Sequence, residues 1–77
     1  MNRTRREKLR TLMARLSDLR DELAEVCDEE DEARESMPEN MQYGDRYAAS
    51  EECSEAMREG CSSLYEAIGY IEDAVQG

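Results

Sequence analysis

The sequence contains no histidine, no tryptophan and no phenylalanine, and Pro38 is its only proline. Histidine is the usual proton-transfer group and a common zinc ligand, so its absence removes the most frequent catalytic and metal-binding side chain. No glycine-rich phosphate loop, calcium loop or nucleophile–base pairing is present either. We therefore predict that the protein is not an enzyme and binds no metal or other cofactor.

Long apolar stretches are also lacking. No run of 18 apolar residues occurs, so no membrane span is predicted, and no apolar segment follows the basic start to make a secretory signal. The three cysteines, Cys27, Cys53 and Cys61, are an odd number and show no C-x-x-C spacing. Free thiols in a reducing compartment are the favoured interpretation, and we expect a cytoplasmic protein.

Regularly spaced apolar residues mark a first helix. They alternate at spacings of three and four, which is the pattern of a coiled-coil seam. These residues are Leu9, Leu12, Leu16, Leu19, Leu23 and Val26. The predicted helix spans about residues 4–36, with Thr4 and Glu7 as a capping box, and Pro38 ends it.

A second helix is predicted over about residues 46–76, after a turn at about 37–45, with Asp45 as its N-cap. Its apolar seam has two weak early members, Ser50 and Ser54. The other seam residues are Tyr47, Met57, Cys61, Leu64, Ile68, Ile71 and Val75. Beside the seam lies a row of small residues, Cys53, Gly60, Ala67 and Ala74. This row indicates either a close helix approach or simply good helix formers.

Two long helices joined by a short connection predict an all-α fold, a coiled-coil-like antiparallel hairpin forming one domain over residues 1–77. Folding near residue 40 places Cys27 opposite Ser54 and beside Cys53, near the separation that a disulfide prefers. We expect a thiol pair packed as small apolar residues there, and not a functional disulfide. Because so small an apolar core stabilises a lone hairpin weakly, we expect a homodimer, such as a four-helix bundle. The predicted self-association seam consists of Leu9, Leu12, Leu16, Leu19, Leu23, Val26, Leu64, Ile68, Ile71 and Val75.

Charge is divided unevenly along the chain, whose net charge is −10. Seven basic and two acidic residues give residues 1–20 a charge of +5, whereas three basic and eighteen acidic residues give 21–77 a charge of −15. The basic start could bind RNA or DNA. We favour its pairing with acids of the second helix, since the rest of the molecule would repel a polyanion. Direct nucleic-acid binding is therefore not expected.

The acidic segment around the turn is the candidate partner-binding surface. A solvated helix face is the simpler interpretation, but carboxylates along a rod could also occupy a basic channel that normally holds phosphates. Two tyrosines near the turn could anchor a partner or pack within the loop. The candidate residues are Asp28, Glu29, Glu30, Asp31, Glu32, Glu35, Glu51, Glu52, Glu55, Tyr43 and Tyr47.

The turn and its flanks resemble a group of short proteins of unknown function encoded by bacteriophages and other mobile elements. The resemblance rests on the segment 37–42 (MPENMQ), on Asp45-Arg46, and on Glu-Ala-apolar repeats at 55–57 and 66–68 and the similar Asp-Ala-Val at 73–75. Met41 in place of leucine, Tyr43-Gly44 inside the turn and the three cysteines depart from the family's pattern. The resemblance implies a mobile-element origin and a helical hairpin. It implies no established active site.

Three functions follow as hypotheses. The first is a phage or mobile-element inhibitor, acting in the host cytoplasm, that occupies the basic nucleic-acid-binding surface of a host defence complex such as a CRISPR effector. The second is a structural coiled-coil dimer whose acidity serves solubility. The third is an RNA-binding hairpin that uses the basic N-terminus. The sequence does not name the target.

Overall fold

The computed structural model describes residues 1–77 and contains two long helices joined by a short turn. Helix α1 spans Arg3–Glu35, a 3-10 turn spans Glu39–Met41, and helix α2 spans Asp45–Gln76. The helices pack antiparallel into a rod whose Cα extents are 59 × 14 × 12 Å. The predicted all-α helical hairpin is therefore confirmed, and each helix begins and ends within one residue of its predicted bounds.

The helix ends differ in detail from the predicted caps. Asn2, and not Thr4, is the N-cap of α1, and its side-chain oxygen accepts a hydrogen bond from the Arg5 backbone amide at 2.9 Å. Gly44 is the N-cap of α2, and Asp45 is already its first helical residue. There the Asp45 carboxylate lies at the positive end of the helix dipole, which favours the helix without capping it.

The seam of α2 faces α1 as its spacing predicts. Every member is buried or half-buried, including the two serines, which are the most polar positions in it. The register also matches the prediction, because the Cys27 thiol meets the Ser54 carbonyl oxygen at 3.6 Å and the Cys61 thiol meets the Arg20 carbonyl oxygen at 3.8 Å. The thiol of Cys27 is buried, whereas Cys53 is exposed, and all three cysteines are free.

The seam of α1 differs from the predicted one. Leu9, Leu16 and Leu23 do face α2 and are half-buried. Leu12, Leu19 and Val26 do not, and they are 43%, 53% and 50% exposed. The places next to the shared leucine row are taken instead by Met13, Arg20, Cys27 and Arg34. The prediction was wrong for this half of the stripe, because α1 is rotated toward its next row of residues.

Polar partners explain the rotation. In the observed arrangement the fully buried Ser54 hydroxyl accepts a hydrogen bond from Arg34 at 2.8 Å. Turning α1 to the predicted side would bring Ala33 and Val26 toward Ser50 and Ser54 and would remove the Arg34 donor from both hydroxyls. A buried polar group without a partner costs about 1–3 kcal/mol, so these hydrogen bonds oppose the burial of more leucine.

Candidate functional site

The acidic segment gathers at one end of the rod. The C-terminal half of α1 and the N-terminal half of α2 meet beside the turn, and fifteen acidic against three basic residues give residues 21–59 a charge of −12. We call this region the acidic tip. The opposite end of the rod carries the basic start of α1.

Most of the predicted partner-binding acids are free to meet a partner. On α1 the exposed ones are Asp28, Glu29, Glu32 and Glu35, and on α2 they are Glu51, Glu52 and Glu55. None of these carboxylates forms an ion pair within the chain. Their charge is therefore displayed to solvent or to whatever binds there.

Two of the predicted acids are instead used to join the helices. The Ser50 hydroxyl donates a hydrogen bond to Glu30 at 2.8 Å. The Asp31 carboxylate forms an ion pair with Arg34 of its own helix at 2.8 Å and a second with Arg58 of α2 at 2.6 Å. Glu30 and Asp31 are half-buried, so they hold the tip together and are not part of its free surface.

Arg34 is the centre of this arrangement, and its side chain is only 13% exposed. Its guanidinium donates to the Ser50 hydroxyl and carbonyl, both at 3.2 Å, and to the Ser54 hydroxyl at 2.8 Å. The same group lies 6.0 Å from the centroid of the Tyr47 ring, within cation–π range. We call Arg34, Asp31, Glu30, Ser50 and Ser54 the polar cluster.

The charges of the polar cluster support one another. Hydrogen bonds from Ser54, Arg34 and Arg58 hold the pKa of Asp31 below its usual value, against the opposing effect of desolvation. The hydrogen bond to Asp31 in turn raises the pKa of Arg34 above its usual value. Both groups therefore stay ionised at neutral pH, and the positive charge of Arg34 is balanced inside the hairpin.

The two tyrosines near the turn have different surroundings. Tyr43 is 92% exposed, so its ring is available as an anchor for a partner. Tyr47 lies in the seam under Arg34 and is half-buried. Of the two interpretations left open for this pair, the free anchor suits Tyr43 and the packed side chain suits Tyr47.

The polar cluster was missed by the sequence interpretation, although a signal for it exists. Arg34 is the only basic residue between positions 21 and 45, and it falls on the row that faces α2. Ser50 and Ser54 lie one turn apart on the seam of α2, where apolar residues are the rule. A lone arginine opposite two seam serines indicates a buried hydrogen-bonded group.

At the basic end, the predicted pairing with acids of α2 is not found. The ion pairs there are Arg3 with Glu7 and Arg20 with Asp21, both within α1 and both at 3.2 Å. Arg20 also lies 5.7 Å from the centroid of the Tyr65 ring of α2. The remaining basic side chains of the start are directed to solvent, apart from half-buried Arg6.

Comparisons with known proteins give no further guide, because no family model, curated protein or solved structure matches the chain. Neither helix has a segment apolar enough to cross a membrane. No three cysteine or acidic side chains are grouped so that they could hold a metal ion. The clearest chemical feature of the surface is its dense array of carboxylates.

Proposed function

We propose that this protein is a non-enzymatic binding module whose acidic tip occupies the basic nucleic-acid-binding surface of another protein. The observation that carries the proposal is the row of exposed carboxylates on the C-terminal half of α1. Seven acidic side chains are exposed between positions 21 and 35. Asp21 pairs with Arg20, and the six unpaired ones are Glu22, Glu25, Asp28, Glu29, Glu32 and Glu35.

The spacing of these charges is close to that of a nucleic-acid strand. Residues 22–35 span about 21 Å at 1.5 Å per residue, so the six unpaired carboxylates give roughly one charge per 3.5 Å. A single DNA strand carries one phosphate per about 3.4 Å and a duplex one charge per about 1.7 Å. A channel lined with lysine and arginine would therefore meet a similar charge density on this helix.

The internal ion pairs improve the match. Arg34 is the only basic residue in this part of α1, and Asp31 and two serines surround its guanidinium. Since its charge is balanced inside the hairpin, it offsets little of the negative potential outside. On α2 the exposed Glu51, Glu52 and Glu55 continue the acidic surface around the tip.

The finer identity of the partner rests on the resemblance to short phage and mobile-element proteins. With that resemblance, the proposed partner is a host defence complex that handles nucleic acid, such as a CRISPR effector, in the host cytoplasm. The acidic tip alone supports only the broader class, a protein with a basic nucleic-acid-binding surface.

The proposal is tested by neutralising the tip without changing its shape. The tip variant is Glu25→Gln/Asp28→Asn/Glu32→Gln/Glu35→Gln. The matched control removes four exposed acids elsewhere: Asp18→Asn/Glu66→Gln/Glu72→Gln/Asp73→Asn. Both changes alter the net charge by the same amount, so a difference between them reports the position of the charge.

Each form is used to capture proteins from a host lysate at about 100 mM salt, and the captured protein is then assayed for nucleic-acid binding by fluorescence anisotropy. We expect wild type and control to capture a nucleic-acid-binding protein and to displace its nucleic acid, and the tip variant to do neither. Raising the salt to about 400 mM should weaken the wild-type complex. Equal capture by the tip variant would contradict the proposal, as would direct binding of a 20-nucleotide RNA by the wild type, which would favour the RNA-binding hypothesis.

A further inference from the structure

One side of the hairpin carries apolar side chains that the chain leaves about half exposed. On α1 these are Leu12, Leu19 and Val26, each between 43% and 53% exposed. Every one of them comes one residue before a seam residue. On α2 the residues that come one before the seam are the small ones, Cys53, Gly60, Ala67 and Ala74. We call these two rows the flanking face.

The antiparallel packing places both rows on the same side. Residues one after the seam meet across the opposite side, as the 2.6 Å ion pair between Asp31 and Arg58 shows. Residues one before the seam must therefore adjoin each other here. Arg20 lies across from Cys61, so the flanking-face residues that precede them, Leu19 and Gly60, are neighbours on this side of the rod. The two helices approach each other closely at this level, because a methyl group on Gly60 would lie only 3.3 Å from the Leu23 side chain.

The flanking face is wide enough for a stable interface. The next row outward on α2 is also uncharged and consists of Ala49, Ala56, Ser63 and Tyr70. One side of a rod with extents of 59 and 14 Å offers roughly 800 Å², which is the usual contribution of each partner to a stable complex. At the basic end, Met1, Leu9 and Leu12 contribute to an apolar depression of about 340 Å³ that is open to a partner's side chain.

The row outward of the leucines on α1 specifies which partner fits. Its members are Lys8, Arg15, Glu22 and Glu29, all exposed and each seven residues from the next. Two positive charges are thus followed by two negative charges along the edge of the apolar surface. Such a row is complementary to itself when reversed, and it repels itself when placed in parallel.

We propose that the flanking face binds a second copy of this chain in antiparallel orientation, with α1 on α1 and α2 on α2. A two-fold axis beside Leu19 then brings Lys8 to Glu29 of the second copy and Arg15 to Glu22 of the second copy. Leu12 meets Val26 of the second copy, close to the apolar depression. Such a contact is isologous and closed, as most homodimers are.

Two further features agree with this orientation. Each acidic tip lies beside the basic end of the other copy, whereas parallel hairpins would place two tips of charge −12 side by side. On α2, exposed Tyr70 comes opposite Ala49 of the second copy, so a large side chain meets a small one. The inference does not rest on the proposed function: of the exposed acids between positions 21 and 35 it uses Glu22 and Glu29 alone, and the others lie on other sides of the rod.

The test combines sedimentation equilibrium with designed charge changes. Wild type should be a dimer at tens of micromolar. Leu19→Glu should be monomeric with an unchanged helical circular dichroism signal, because it buries a charge in the dimer only. Lys8→Glu/Arg15→Glu should raise the dimer dissociation constant at least about tenfold, since four attractive contacts become repulsive. The exchange variant Lys8→Glu/Arg15→Glu/Glu22→Lys/Glu29→Lys should restore the wild-type value.

The control is Arg3→Glu/Arg10→Glu, which makes the same change in net charge on another side of α1 and should leave the dimer intact. A monomeric wild type at about 100 µM would overturn the proposal. So would a control that dissociates the dimer as strongly as Lys8→Glu/Arg15→Glu. Failure of the exchange variant to restore dimerisation would overturn the antiparallel orientation. None of these outcomes depends on the acidic tip binding another protein.

Discussion

Leu16 and Leu19 lie three residues apart on α1 and differ in what covers them. Leu16 faces α2 and is half-buried, whereas Leu19 is 53% exposed on the flanking face. Truncating each to alanine removes the same atoms from the same helix. Leu16→Ala should therefore destabilise the hairpin strongly, and Leu19→Ala should destabilise it only slightly when the protein is dilute.

The sizes of the two effects follow from burial. A fully buried leucine truncated to alanine costs about 2–5 kcal/mol, and a half-buried one falls at or below the lower end, so we expect roughly 2 kcal/mol for Leu16. Truncating Leu19 removes much less buried apolar surface, and the better helix propensity of alanine offsets part of that loss. We therefore expect a destabilisation of about 0.5 kcal/mol. For a chain of this size 1 kcal/mol changes Tm by about 4–8 °C, so the expected decreases are about 10 °C and 3 °C.

Thermal unfolding followed by circular dichroism at low micromolar concentration measures both changes. Low concentration matters because any dimer would add stability that depends on Leu19. At high concentration the deficit of Leu19→Ala should therefore grow, while that of Leu16→Ala persists. Equal losses for the two variants in dilute solution would refute the observed rotation of α1 and restore the seam predicted from the leucine spacing.

Three other predictions concern single positions. Gly69→Ala should raise the free energy of unfolding by about 1 kcal/mol, since the added methyl meets no atom within 4 Å. Gly60→Ala should raise it less, because its methyl would lie 3.3 Å from the Leu23 side chain. Thermal melts that rank the two variants in the reverse order would contradict this. Because the pKa of Asp31 is lower in the folded than in the unfolded state, the ionised carboxylate stabilises the fold above the unfolded pKa. This stabilisation is lost as the pH falls from about 4 through the folded pKa. The Tm difference between wild type and Asp31→Asn should therefore be clear at pH 7 and small near pH 2. In dilute solution, where no dimer forms, exposed Cys53 should react rapidly with a thiol reagent and buried Cys27 only on unfolding, so equal rates in peptide mapping would argue against this packing.

The overall architecture was predictable because each of its causes is local. Helix propensity, the alternating spacing of apolar residues and the stop at Pro38 all act within a few residues along the chain. The antiparallel register followed from the short connection, and the contact between Cys27 and Ser54 agrees with it. None of these features depends on specific side-chain contacts between the two helices.

The rotation of α1 and the polar cluster were not predictable in the same way. Two rows of residues flank the leucines at 9, 16 and 23. One row is apolar (Leu12, Leu19 and Val26) and the other is mixed (Met13, Arg20, Cys27 and Arg34), and apolar spacing alone predicts that the first row faces α2. The choice depends on hydrogen bonds that Arg34 makes with two serines of the other helix. Such a preference appears only when both helices are considered together, as does the use of Glu30 and Asp31 within the hairpin.

A hairpin with leucines every seven residues has several near-equivalent ways to align its two helices. Sliding one helix by seven residues keeps apolar side chains opposite apolar side chains, so the leucines alone allow slippage. The polar cluster does not tolerate it, because Arg34 would move about 10 Å away from Ser54. Under the proposed function, a partner would meet acidic rows of α1 and α2 that keep one constant offset. A substitution that frees Arg34 would let that offset vary without removing a single exposed carboxylate.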